Sequence, residues 1–69
     1  MMKWVEIRTL GGQIIVCGAM GKESFFRYID EYTDGSNGEL AARLWDKATP
    51  YSLSDYIYNI KVRVTEYTA

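Results

Sequence analysis

The dipeptide Gly11-Gly12 stands between two runs of residues typical of β-strands, and it constrains the fold more than any other feature of this chain. From Lys3 to Thr9 apolar and polar residues alternate, which indicates a strand with one buried face. The run from Gln13 to Ala19 is also rich in strand-forming residues. Because two glycines suit a two-residue hairpin turn, the sequence predicts an antiparallel hairpin with Leu10 opposite Gln13.

The position of this turn determines which side chains share a face of the hairpin, since a one-residue slip exchanges the two faces. Counting outward from the turn gives one apolar face, which we expect to be buried. It carries the pairs Thr9 with Ile14, Ile7 with Val16, and Val5 with Gly18. The opposite face is expected to carry Arg8 with Ile15, Glu6 with Cys17, and Trp4 with Ala19.

Two helices are predicted after the hairpin. The first has apolar residues at helical spacing, and Asp34-Gly35 is expected to end it. Its stripe comprises Phe25, Tyr28, Ile29 and Tyr32. The second is predicted to begin at Ser36, because Ser36 to Glu39 has the Ser-x-x-Glu form of a capping box. Thr49-Pro50 is expected to end it, after an apolar stripe of Leu40, Ala41, Leu44 and Ala48.

The end of the chain completes the predicted fold. Residues 51–59 fit either a short helical turn or an extended run, whereas Ile60 to Tyr67 alternates as a strand does. Pairing this strand antiparallel beside the first gives an α+β, two-layer ββααβ domain, in which a three-stranded antiparallel sheet carries two helices on one face. We expect residues 1–69 to form a single domain, because so short a chain cannot build two cores.

Composition excludes several classes of function. The chain has no histidine and one cysteine, so one copy cannot assemble a Cys/His zinc site, a Ser-His-Asp triad or an internal disulfide. We therefore expect no metal, no cofactor and no enzyme activity, with Cys17 as a small structural residue. A lone cysteine and the lack of a signal-peptide pattern favour a cytoplasmic location. No apolar run is long enough for a membrane span, so no membrane partner is expected.

Charge and one glycine motif bear on nucleic-acid binding. Eight basic and nine acidic residues give a net charge of -1, which disfavours charge-driven binding to phosphates. Gly18-Ala19-Met20-Gly21-Lys22 nevertheless has a Gly-x-x-Gly element that resembles the loop with which KH domains clamp nucleic-acid backbones, although a strand precedes it here. The alternative function is therefore a small nucleic-acid-binding module that uses the Gly18 to Lys22 loop with Arg27, Lys61 and Arg63.

Acidic residues gather near the junction of the two predicted helices. They are Asp30, Glu31, Asp34 and Glu39. Solvation of helix ends accounts for most such clusters, and the spacing is not that of an EF-hand. Two functional alternatives stay open: an acidic patch that docks a partner, and a small enzyme that works through carboxylates.

Aromatic residues supply the leading hypothesis, since the chain has six Tyr, two Trp and two Phe. Trp, Tyr and Arg are the residue types enriched at interface hot spots. The predicted register places several of them on the sheet face away from the helices, and we predict that they bind a partner. They are Trp4, Arg8, Ile15, Arg63 and Tyr67. Packing of Trp4 on the stems of Arg8 and Lys61 within the chain is the alternative.

Small size and the lack of catalytic or cofactor motifs then favour a non-enzymatic interaction or inhibitor protein. Its partner is expected to be a larger protein or ribonucleoprotein complex, or a second copy in a homodimer. This profile is similar to that of the small acidic inhibitors encoded by phages and mobile elements, including anti-CRISPR proteins. The similarity is one of size, charge and composition, so it assigns no site residues.

Overall fold

The computed structural model describes residues 1–68, which form four strands and two helices. In chain order these are β1 (Met2–Thr9), β2 (Ile14–Gly21), α1 (Lys22–Tyr32), α2 (Gly38–Asp46), β3 (Asp55–Ile57) and β4 (Ile60–Glu66). All pairings are antiparallel and the strand order is β2-β1-β4-β3. The α+β class and the pairing of the last strand with the first are confirmed. The predicted number of three strands is corrected to four.

Both helices cover the same face of the sheet. Their buried residues form one cluster with the inward side chains of the strands: Val5, Ile7, Phe25, Ile29, Ala41, Trp45, Ala48, Ile57, Ile60, Val62 and Val64. Within this cluster the ring centroids of Phe25 and Trp45 lie 5.4 Å apart. Trp45 was not part of the predicted stripe of the second helix, whereas Leu40, which was, is 44% exposed. The buried face of α2 is therefore turned toward Trp45.

The β1–β2 hairpin has a three-residue loop rather than the predicted two-residue loop. The Thr9 N–H donates to the Gln13 carbonyl at 2.8 Å, and the Gly12 N–H donates to the Thr9 carbonyl at 2.9 Å. Gly12 has a φ of 91°, so the loop is a turn followed by one left-handed residue, a common three-residue form. Leu10 lies inside this loop, and its predicted pairing with Gln13 is wrong.

A β-bulge at Ile15 compensates for the longer loop. Arg8 pairs with Ile14 and Ile7 with Val16, so Ile15 has no partner on β1. Beyond the bulge the predicted pairs Ile7 with Val16, Glu6 with Cys17, Val5 with Gly18 and Trp4 with Ala19 are confirmed. The predicted placements of Ile14 and Ile15 are wrong. Ile15 was expected opposite Arg8 on the face away from the helices, but it packs against the buried cluster. Ile14, expected on the buried face, lies opposite Arg8 instead.

The connection between the helices is built on Asp34. Its Oδ1 accepts hydrogen bonds from the Ser36 N–H at 3.1 Å, the Ser36 hydroxyl at 2.6 Å and the Asn37 Nδ2 at 2.9 Å. The predicted capping box is therefore wrong: Ser36 is committed to Asp34, and α2 begins at Gly38 after Asn37 without a side-chain cap. The hydrogen bond from the Ser36 hydroxyl, with the backbone bonds, lowers the pKa of the Asp34 carboxyl.

Residues 51–59, whose sequence fitted two conformations, include the short strand β3. Ile57 and Ile60 pair directly, so Tyr58 and Asn59 form a two-residue turn between β3 and β4. Tyr58 has a φ of 54°. A positive φ at the first central residue is the pattern of a type II′ turn, in which glycine is usual.

Candidate partner-binding face

The side of the sheet opposite the two helices brings together most of the predicted partner-binding residues. Strand alternation and register place the following side chains there: Trp4, Glu6, Arg8, Ile14, Cys17, Ala19, Tyr56, Lys61, Arg63, Thr65 and Tyr67. We call this set the open sheet face. It includes Trp4, Arg8, Arg63 and Tyr67 from the prediction, and Ile14 replaces Ile15 because of the bulge.

An aromatic pair lies at one end of the open sheet face. The rings of Trp4 and Tyr67 are stacked, with centroids 6.3 Å apart and an interplanar angle of 20°. Trp4 Nε1 also donates to Glu6 Oε1 at 3.4 Å. Trp4 is half-buried and Tyr67 is 40% exposed, so the pair is held in place by its neighbours while part of its surface faces water.

Arg63, next along the face, has unused hydrogen-bonding capacity. It lies opposite Glu6 in the ladder, yet the Glu6 carboxylate pairs with Arg8 Nη2 at 3.8 Å instead. The Arg63 Nε is buried and has no hydrogen-bond partner among residues 1–68. Because Nε is closed off from solvent, an acceptor supplied from outside would bind the Nη groups of this guanidinium.

A cavity of about 350 Å³ adjoins Arg63. Besides Arg63 it is lined by Pro50, Tyr51, Ser52, Leu53 and Ser54. Tyr51 and Leu53 are 88% and 86% exposed. An arginine beside an open cavity with apolar walls can hold a carboxylate while its neighbours pack on the carbon atoms of the same ligand.

The charge of the open sheet face differs in sign from that of the whole chain. Three basic residues, Arg8, Lys61 and Arg63, share it with one carboxylate, that of Glu6. The chain as a whole has a net charge of -1, so the acidic side chains lie mostly elsewhere on the surface. Electrostatic complementarity therefore favours a partner with an acidic contact surface.

Sequence reasoning missed the exposed aromatic residues of 51–58. Tyr56 is 62% exposed and Tyr58 67% exposed, and Lys61 Nζ lies 5.8 Å from the centroid of the Tyr56 ring. β3 carries Tyr56 onto the edge of the open sheet face. Five large apolar or aromatic residues within eight positions were the available signal, and the ambiguous secondary structure of this segment hid the exposure of four of them.

The residues of the predicted nucleic-acid loop belong to a strand and a helix of this fold. Gly18 to Gly21 belongs to β2, and Lys22 is the first residue of α1. The Lys22 ammonium lies 5.6 Å from the centroid of the Phe26 ring. The expectation that this element forms a loop is therefore wrong, because the Gly-x-x-Gly element continues the strand.

The residues of the predicted acidic patch lie on α1, on the connection between the helices and on α2. Asp30 and Glu31 are exposed near the end of α1, Asp34 holds the turn before α2, and Glu39 Oε1 lies 3.5 Å from Arg43 Nη2. No three acidic or thiol side chains within residues 1–68 are placed to hold a metal ion. Cys17 is exposed on β2. Neither described helix is long and apolar enough to cross a membrane.

Comparisons of the chain with protein-family models, with curated proteins and with solved structures found no match. The residues and geometry of the open sheet face are therefore the basis on which function is assigned.

Proposed function

We propose that this chain is a small non-enzymatic interaction protein that binds a larger macromolecular partner through its open sheet face and inhibits it by occupying that surface. The observation that carries this proposal is the one-sided cover of the sheet. Two helices bury one face, while the other presents the Trp4–Tyr67 pair beside Arg63. Tryptophan, tyrosine and arginine contribute most to binding at hot spots, and here the rings of Trp4 and Tyr67 already stack on each other.

The chemistry of the face favours an acidic protein surface as the partner. The partner's carboxylates would accept from Arg63 and Arg8, and its apolar groups would pack on Trp4 and Tyr67. Burying a residue such as Trp4 contributes on the order of 2 kcal/mol to binding, whereas an exposed ion pair contributes less than about 1 kcal/mol. The aromatic pair is therefore expected to provide most of the affinity, and the arginines most of the specificity.

A matched pair of tyrosines tests this proposal. Tyr67 on the open sheet face and Tyr32 on α1 are 40% and 39% exposed, so Tyr→Ala removes a similar exposed area from either. The partner is first recovered from a lysate with the wild-type chain, and its affinity is then measured with purified components. We expect Tyr67→Ala to weaken binding about tenfold or more, as about 1.4 kcal/mol requires, and Tyr32→Ala to leave it nearly unchanged.

Arg63→Lys sharpens the test because it keeps the charge but removes the planar, forked donor group. Loss of affinity in this variant supports direct carboxylate binding by Arg63. Variants of the predicted acidic patch can contradict the proposal. If reversing the charges of Asp30, Glu31 and Asp34 abolishes binding while a folded Trp4→Ala variant binds normally, the partner recognises the acidic patch and the open sheet face is not the site.

Single-stranded nucleic acid is the second candidate partner, favoured by the three basic residues and three aromatic rings on this face. Sheets with exposed aromatic residues can stack bases while cations contact phosphates. The chain as a whole has a net charge of -1, which disfavours charge-driven binding to a phosphate backbone, so the protein partner is preferred. Anisotropy measurements with labelled single strands distinguish the two, since submicromolar binding that falls steeply with salt would identify nucleic acid.

A further inference from the structure

The two edges of the sheet differ in length and charge. The edge strand β3 has three residues, begins with Asp55, and follows shortly after Pro50. Short length, charge and proline are common protections of an edge. The other edge strand, β2, has eight residues, and no charged residue stands between Arg8 and Lys22. This is the longest uncharged stretch of the chain, and it coincides with the longer open edge.

The outer edge of β2 has backbone groups free to pair. β1 occupies one side of the strand. No turn, loop or cap hydrogen bond among the described residues involves Ile14 to Gly21. A long uncharged edge of this kind readily accepts another strand.

Gly18 lies in the middle of this edge strand. Glycine in the middle of a strand is unfavourable, and it can mark a place where another backbone approaches closely. Its φ is not positive, and, as for Gly21, no heavy atom within residues 1–68 lies within 4 Å of the place a Cβ would occupy. Gly18 therefore offers no side chain that would hinder a second strand at the centre of this edge.

We propose that β2 pairs antiparallel with β2 of a second copy, centred on Gly18, to form a dimer with a continuous eight-stranded sheet. Centred on Gly18 and ended by the bulge at Ile15, the regular ladder comprises residues 16–20 of each strand. Val16 then faces Met20 of the second copy, and Cys17 faces its Ala19, so no like charges meet. Because identical strands that pair antiparallel are related by a two-fold axis, each makes the same contacts.

The geometry also explains why assembly stops at two chains. Once both β2 strands are paired, the only edges left among residues 1–68 of each copy are the two short β3 strands. The two-fold axis is perpendicular to the sheet, so the two open sheet faces lie on the same side and form one larger surface. The dimer uses the edge of the strand and does not depend on the proposed function of the face.

Cys17→Lys tests the dimer, with Ser54→Lys as its matched control. Both positions are exposed and both variants add one positive charge, but only Cys17 lies on β2. Sedimentation equilibrium should give twice the chain mass for wild type and Ser54→Lys, and one chain mass for Cys17→Lys with an unchanged circular dichroism spectrum. A monomeric wild type, or a Cys17→Lys variant that dimerises as wild type does, overturns the proposal.

Hydrogen exchange of the β2 amides gives a second readout that does not depend on the Lys variant folding. In a monomer the amides of residues 16–20 that point away from β1 exchange rapidly. In the proposed dimer they are protected, and their protection should fall as the wild-type protein is diluted. Rapid exchange of these outward amides at high protein concentration contradicts the pairing.

Discussion

The two tryptophans of this chain lie on opposite faces of one sheet, in different surroundings. Trp45 is 4% exposed and packs against Phe25, with the ammonium of Lys3 5.2 Å from its ring centroid. Lys3 also donates to the Trp45 carbonyl, so β1 is tied to the end of α2. Trp4 is half-buried and has Tyr67 and Glu6 as neighbours.

This difference separates stability from recognition. The free energy released by burying Trp45 is already contained in the folded state, and losing the residue removes it. Much of the surface of Trp4 is still available for burial, so its contribution can appear when a partner binds. Two helices can shield only one side of a sheet, and a two-layer domain with aromatic residues on both sides therefore keeps one set available.

The largest expected effect is that of Trp45→Ala. Removing a buried aromatic side chain costs about 3–5 kcal/mol. A domain of this size rarely has more than about 3–5 kcal/mol of stability from its core, so the variant should be largely unfolded in water at 25 °C. Circular dichroism with urea titration measures this. A cooperative transition at the wild-type midpoint would show that the covered face does not depend on Trp45.

Trp4→Ala is expected to have a smaller effect on folding. It removes one stacked aromatic pair and one long hydrogen bond, which together contribute about 1 kcal/mol. The variant should unfold at a slightly lower urea concentration and lose partner affinity.

Quenching of tryptophan fluorescence measures the difference in exposure between Trp4 and Trp45 directly. The Trp45→Phe variant leaves only Trp4, and the Trp4→Phe variant leaves only Trp45. Acrylamide should quench Trp4 more strongly than Trp45, and a bound partner should reduce quenching of Trp4 alone. Equal quenching of the two, with or without partner, would remove the distinction between the faces.

A substitution in the loop between β1 and β2 is expected to have the next largest effect on stability. Gly12→Ala introduces a side chain at a φ of 91° and should lower the free energy of unfolding by roughly 1 kcal/mol. Gly11→Ala is the control, because its φ is not positive and its new Cβ would meet only Thr9 Oγ1 at 3.8 Å. Equal urea midpoints for the two variants would contradict the loop conformation.

The smallest expected effect belongs to Asp34, outside both faces. Because the pKa of its carboxyl is lowered from 3.8 in the folded state, its charge stabilises the fold above pH 3.8. That contribution is lost as pH falls through the lower, folded-state pKa. Asp34→Asn removes it, so urea midpoints of wild type and variant should converge as pH falls through this window. A constant difference would show that the charge of Asp34 has no part in the turn.

The predictable part of the fold came from residues whose local chemistry admits few conformations. The alternation around Val5 and Ile7 and the adjacent glycines placed the hairpin and most of its register. They could not reveal a three-residue loop combined with a bulge, because both arrangements give the same pairs beyond Ile15. The placement of Trp4 and Arg8 on the open sheet face could therefore be predicted, whereas the exchange of Ile14 for Ile15 could not.

Other errors arose where tertiary contacts decided between local options. Ser36 had two acceptable roles, and its bond to Asp34 excluded the capping box. β3 has only three residues, too few for a periodic pattern, and it is ordered by pairing with β4. Trp45 is buried because Phe25 packs against it, and a contact between two helices is not visible in the pattern of either one.

The unpaired Ile15 has a consequence for how this hairpin can change in length. Removing a residue of β2 beyond the bulge would turn side chains to the opposite face of the sheet. Removing Ile15 would turn none, since it would convert the bulge into a regular ladder and leave Ile14 opposite Arg8 and Val16 opposite Ile7. Removing Val16 would have the same result, with Ile15 opposite Ile7, so the bulge is where natural variants can lose a residue of β2 without exchanging the two faces.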